Sequence, residues 1–275
     1  MDNSPESIKS LNENLAREIL ELHSLGVNGG YTLNDIQELA KAISGWSITR
    51  AADTRQGFKY RPNGHEPGTR TVLGKEYPQT GVDQGKAILR DLARHPATAR
   101  LVCFKLARHF ISDTPSESLV KALTDTWSKT RGNLHAVMTT LIQHSEAWQS
   151  TFEKYKTPRE FLISTLRLAN VSELPAQRVI RLLIHLGQKP FAAGSPAGYD
   201  DTADAWDGSG ALLKRIDWVN QMSVRFKSAQ FSPKQLLENY FGSLASDHTR
   251  LLVGGAESRE MAAALFLMSP EFLRR

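Results

Sequence analysis

Three tetrapeptides, Thr114-Pro-Ser-Glu117, Thr157-Pro-Arg-Glu160 and Ser232-Pro-Lys-Gln235, restrict the folds open to this chain more than anything else in it. Each offers a hydroxyl at the N-cap, a proline at the first helical position and a Glu or Gln at the third. The hydroxyl accepts the third residue's amide, and the third side chain reaches back to the N-cap amide. Two donors that a helix start would leave orphaned are thereby satisfied. Proline loses nothing in this position, because its missing N–H would have been unpaired anyway. Each such cap contributes about 0.5–2 kcal/mol, and few helix-start signals are stronger.

Apolar residues at helical spacing mark further helices. One is expected over residues 6–25, with Ile8, Leu11, Leu15, Ile19 and Leu22 on one stripe and Gly26 as its stop. A second starts at Thr32, with Asp35 as a variant capping box, carries Leu33, Ile36, Leu39 and Ile43, and ends at Gly45. Residues 46–82, rich in glycine and interrupted by Pro62, Pro67 and Pro78, break the pattern. Phe58-Lys59-Tyr60 and Thr71-Val72-Leu73 there have the composition of two short strands around a Pro62–Gly68 turn. So long a non-helical stretch in a compact domain is itself a functional candidate. Helices resume over 83–94 and from Pro96, and further ones are expected at 134–147, 175–186, 208–227 and 256–268. A second loop spans Gly187–Asp207. The expected fold is all-α: an irregular orthogonal array of about ten helices, with at most a small β-hairpin near residues 58–73, in a single domain over 1–275.

Composition agrees with a globular chain. Of 275 residues, 40% are hydrophobic and 23% charged, enough for a substantial core. No apolar run nears the roughly 20 residues that cross a bilayer. Met1–Leu11 lacks the apolar region of a secretory signal, so as written the chain is expected in the cytoplasm. The net charge is +5, but Lys and Arg are interleaved with 29 acidic residues and form no stripe with stacking aromatics, so nucleic acid is not an expected partner. Cys103 is the only cysteine, which excludes an internal disulfide or a multi-cysteine zinc site. Set in Leu101-Val-Cys-Phe104, it is expected to be a buried, inert thiol.

Familiar catalytic signatures fail. Gly45-Trp-Ser-Ile-Thr49 lacks the last glycine of a nucleophile elbow, and Gly81-Val-Asp-Gln-Gly-Lys86-Ala87 is one residue short of a phosphate-binding loop. Two polar groupings remain. Asn14, Arg17, Glu18 and Glu21 fall within about 100° of one another on the first helix, where paired carboxylates beside an arginine suit acid/base work, a metal or a structural ion-pair network. Arg17 and at least one of Glu18 and Glu21 are expected to be buried and bonded to other segments, with His95, Arg100 and the loop around Gly198 as partners. The second grouping, Asp200, Asp201, Asp204 and Asp207, lacks the spacing of an EF-hand and suits loop solvation. His65-Glu66 supplies a weak pair of candidate ligands for a divalent metal ion.

Taken together, several segments resemble the bacterial domain of unknown function family 1800. They are Asn12–Gly26, Gly30–Trp46, His95–Arg100, Lys105–Phe110, Lys156-Thr-Pro158, Leu186–Phe191, Ser195–Tyr199 and Ser269–Phe272. The resemblance implies a further helical region before Asn12-Glu-Asn14, so the chain is expected to correspond to the C-terminal part of the family domain. It also implies export in many relatives and a sulfatase-like partner encoded nearby, which leaves a periplasmic or exported location open. Two departures stand out. The family's His-Asp is His65-Glu66 here, and its Gly-Trp after the paired-proline loop is Gly198-Tyr199. Three functions stay open on this footing: a scaffold or interaction protein, a metal-dependent enzyme centred on the first helix, and a carbohydrate- or polymer-binding module using exposed Trp46, Phe191, Tyr199 and Trp206. An exposed apolar patch is expected on the first two helices or on the 46–82 segment.

Overall fold

The computed structural model describes residues 11–49, 57–149, 152–224 and 232–275. Among them are thirteen α-helices and two antiparallel sheets of two strands each, so the chain is all-α, as expected. Backbone contacts divide it into two compact units. The first comprises residues up to Ala107 with Ser116–His144, the second Arg108–Pro115 with Ser145–Arg275.

In the first unit, α1 (Asn14–Glu18) runs into a π-helical turn over Ile19–His23. The wider turn rotates the apolar stripe, so Ala16 and Leu20 are fully buried while Leu11, Leu15, Ile19 and Leu22 are only half-buried. The expected upstream part of this helix, Ile8 included, lies outside the described residues. α2 (Leu33–Ala42) starts on the Thr32–Asp35 capping box and buries Ile36 and Leu39, with Ile43 buried at its C-cap and Leu33 exposed.

The single hairpin expected near 58–73 is replaced by two. β1 (Trp46–Ile48) pairs with β2 (Phe58–Tyr60), and β3 (Arg70–Val72) pairs with β4 (Lys75–Tyr77). The second hairpin turns on Leu73 and Gly74, at φ 52° and 74°, the backbone signs of a type I′ turn. A bulky residue rarely adopts that conformation. The Asp35 carboxylate holds Leu73 there, accepting its amide at 2.7 Å on one oxygen and the Thr32 amide and hydroxyl on the other. One buried side chain thus caps α2 and anchors the hairpin. Exposed apolar side chains in this region are Val27, Leu33 and, paired across the first hairpin, Ile48 and Phe58.

α3 (Val82–Arg94) lies against α2 and Trp46 at Gly85, where a Cβ would sit 2.8 Å from the indole ring and 3.1 Å from the Ala42 carbonyl. α4 (Pro96–Phe110), α5 (Glu117–Thr130) and α6 (Leu134–Gln143) follow, and the last residues of α4 group with the second unit. Cys103 is fully buried and its thiol is pushed up by burial, so it is the inert cysteine expected. One of the three opening tetrapeptides behaves differently from expectation. α5 is capped by Ser116, not Thr114. The buried stripe Leu119, Val120, Leu123 and Trp127 begins three residues after Ser116, which sets the helix start two residues later.

The second unit holds α7 (Pro158–Leu168), α8 (Ala176–His185), α9 (Ser209–Ser223), α10 (Pro233–Phe241), α11 (Asp247–Gly254), α12 (Arg259–Leu267) and α13 (Pro270–Leu273). Capping boxes form at Thr157 and Ser232 as expected. α11 was not expected, and it buries only Thr249 and Val253 while exposing Leu251 and Leu252, too little apolar period to announce itself. The core is aromatic: Phe161 packs edge-on against Trp218 at 5.6 Å and Phe272 at 5.9 Å, and Phe272 meets Phe266 at 5.4 Å.

Candidate interaction surface

The polar face of α1 is not the buried network expected. Arg17 is exposed and among the described residues pairs only with Glu13, one turn away at 3.4 Å, an arrangement in which water screens most of the attraction. Asn14 is exposed, and Glu18 and Glu21 are half-buried. Arg100 makes a two-pronged surface pair with Glu117, and His95 caps α4 by accepting the Ala97 amide on Nδ1. Polar residues on a rim beside an already sufficient stripe solvate it. His65 is buried with Nδ1 3.1 Å from the Ser44 carbonyl oxygen, while the Glu66 amide donates to the Ser44 hydroxyl. Among the described residues no group of three His, Cys, Asp or Glu side chains could hold a metal ion.

Of the four aromatics expected at the surface, only Phe191 is exposed. Trp46 is half-buried against the edge of Phe58 at 5.3 Å. Trp206 is buried and donates its indole N–H to the Asp200 carbonyl at 2.8 Å. Tyr199 lies beside it at 5.8 Å, its hydroxyl facing the Lys189 and Ala192 carbonyls at 2.9 and 3.0 Å. Tyr199 and Trp206 therefore form the base of a folded loop and not a stacking platform. At its tip Phe191 has a relative exposure of 109% and a left-handed φ of 54°.

Beneath the loop lies a set of buried cations that sequence reasoning missed. Lys154, 1% exposed, donates to the Asp113 carboxylate and to the Asp201 carbonyl, and the other Asp113 oxygen accepts the Ala203 amide at 2.7 Å. Burial alone would raise the Asp113 carboxyl; the Lys154 ammonium and Ala203 amide outweigh it and hold it below the usual range. Arg108 lies 3.1 Å from Asp201. Arg215, fully buried, donates to the Lys156 carbonyl at 2.6 Å between the rings of Tyr155 and Phe161. Burial pushes the Lys156 amine down to about 8, the Glu160 carboxylate offsetting part of the effect. Arg215 left a trace in the sequence, since it occupies the first place of the buried i, i+3, i+4, i+7 set Arg215, Trp218, Val219 and Met222. Lys154 and Asp113 left none, being 41 residues apart.

α8 leads into this loop and is the least covered helix of its length in the unit. Leu183 is its only buried residue, helped by half-buried Val179 and Leu182. At about 100° per residue, its outer surface carries Ile180 and Ile184 side by side and then a basic row of Arg181, His185 and Arg178. All five are exposed. Arg178 and Leu182 border a cleft of about 60 Å³ shared with Leu166, Val171, Leu174, Trp218, Gln221 and Met222.

The family model described as "Protein of unknown function (DUF1800)" matches residues 1–274. The chain belongs to the DUF1800 family. No curated protein and no solved structure matches it. Several segments that carried the DUF1800 resemblance meet in the second unit. Lys156 donates to the Phe272 carbonyl at 2.7 Å with its ammonium 4.1 Å above the Phe272 ring, and the Gln188 side chain accepts the Arg159 amide at 2.8 Å. The DUF1800 loop Leu186–Tyr199 is thus bonded at its start to α7 and closed on itself by Tyr199. No helix among the described residues is long and apolar enough to cross a membrane.

Proposed function

We propose that this DUF1800 protein is an interaction module, and that α8 with the loop Gly187–Tyr199 is its docking surface. Phe191 carries the reading. A phenylalanine in the left-handed region costs on the order of 1 kcal/mol or more, and here that cost is borne to hold a ring wholly in water. The Tyr199 hydroxyl closes the loop beneath it, so the ring is presented from a preorganised support. An aromatic anchor of this kind suits an apolar pocket on a partner, with Arg181 supplying a cation at its rim and His185 a polar neighbour.

The partner we assign is the sulfatase-like protein that the family resemblance associates with DUF1800 chains. Co-expression followed by a measured dissociation constant tests it. Phe191→Ala is expected to weaken binding at least tenfold with the thermal midpoint unchanged, and Tyr199→Phe to weaken it less. Leu213→Ala, an exposed position on α9, is expected to leave it as it is. Equal binding by wild type and Phe191→Ala, or none by either, overturns the assignment.

A further inference from the structure

The cleft flanking α8 has a chemistry of its own that the docking surface does not use. Its floor is Trp218 and Met222, both buried, and its walls are Leu166, Val171, Leu174 and Leu182 from α7, α8 and the segment between them. Among the described residues the only charged group on it is the Arg178 guanidinium, with the Gln221 amide as the other polar side chain. Both are exposed at the rim, and among the described residues no carboxylate lines the cleft or pairs with Arg178. Its volume of about 60 Å³ is well under the roughly 150 Å³ of a cavity that holds benzene. The space below the rim therefore takes only a branched tail of a few carbons, with the polar head left at the rim. A planar guanidinium and an amide donor on one rim match the two oxygens of a carboxylate, and the apolar side chains below them take its hydrocarbon part.

We infer that the cleft binds a short branched aliphatic carboxylate, its methyl groups against Trp218 and Met222 and its carboxylate on Arg178. The site is independent of Phe191. Methionine-methyl NMR of the full chain tests it, since Met222 is one of five methionines and Met222→Leu assigns its signal. Titration with 3-methylbutanoate is expected to shift the Met222 methyl saturably. The neutral 3-methylbutanamide and the tail-less acetate are each expected to bind at least tenfold more weakly. Arg178→Met is expected to weaken 3-methylbutanoate at least tenfold while leaving the free Met222 signal in place, and Phe191→Ala to change nothing. No saturable shift up to 50 mM overturns the inference. Equal binding of the amide overturns the role of Arg178, and equal binding of acetate overturns the role of the walls; either result rejects the proposed ligand class.

Discussion

The Asp35 carboxylate accepts the Thr32 amide and hydroxyl on one oxygen and the Leu73 amide on the other, at 2.7 Å in each case. Removing it takes away a helix cap and strands a half-buried amide whose residue has a strained φ. Asp35→Ala is therefore expected to cost about 2–4 kcal/mol, the sum of a lost cap and an unpaired donor. It should also release the Leu73 amide to fast hydrogen exchange; slow exchange there would show that Asp35 does not hold the turn. Burial by itself would raise this carboxyl, but the bonds from Thr32 and Leu73 hold it below its ordinary 3.8. A carboxylate that is lower in the folded than in the unfolded chain contributes its stability above the unfolded value and loses it as pH falls through the folded one. The deficit of Asp35→Asn, measured by urea unfolding, is expected to be full near pH 6 and to shrink below about pH 4.

Glycine in a helix interior usually weakens it, and alanine in its place stabilises by roughly 0.5–1 kcal/mol. Gly85 in α3 reverses that sign. A Cβ there would meet the Trp46 ring at 2.8 Å and the Ala42 carbonyl at 3.1 Å, so α3 would have to move off α2. Gly85→Ala is expected to destabilise by about 1–3 kcal/mol, the range of an overpacked contact. Gly210→Ala in α9, with nothing within 4 Å, is expected to be neutral or stabilising; urea midpoints that rank the two the other way would refute the packing argument. Such contacts mark the limit of what was legible beforehand. The Thr32, Thr157 and Ser232 caps could be read because a cap is built from residues three apart. The start of α5 was misplaced because Thr114 and Ser116 offer the same hydroxyl and only the buried stripe beyond chooses between them. The two hairpins were merged because Leu73 is no turn residue by type; it becomes one through Asp35, 38 residues earlier. The α1 face was expected to be a buried network because polarity beside an apolar stripe looks the same whether it meets solvent or another segment. Phe191 and Trp206 were grouped as exposed aromatics, although a single chain of letters carries no sign of which ring the loop folds over.

At the scale of the molecule, the division between the two units does not fall at one point in the chain. Arg108–Pro115 groups with the second unit, although the residues on both sides of it group with the first. A cut after His144 would therefore deprive the second unit of Asp113, leaving Lys154 buried without its carboxylate, a loss of roughly 3–5 kcal/mol for a stranded charge. A fragment of residues 145–275 is expected to lack the near-ultraviolet circular dichroism and the Ala203 amide protection that a fragment of residues 108–275 retains. Equal order in the two would mean that the Asp113 pair is dispensable. The same separation acts on the order of synthesis. Asp113 leaves the ribosome 41 residues ahead of Lys154 and 90 ahead of Ala203. At roughly 5–20 residues per second, the carboxylate remains hydrated for about 2–8 s before its ammonium exists, and for about 5–18 s before the amide that completes its shell. The shell of Asp113 cannot close until that loop arrives, so this cluster forms well after the helices that precede it have been made.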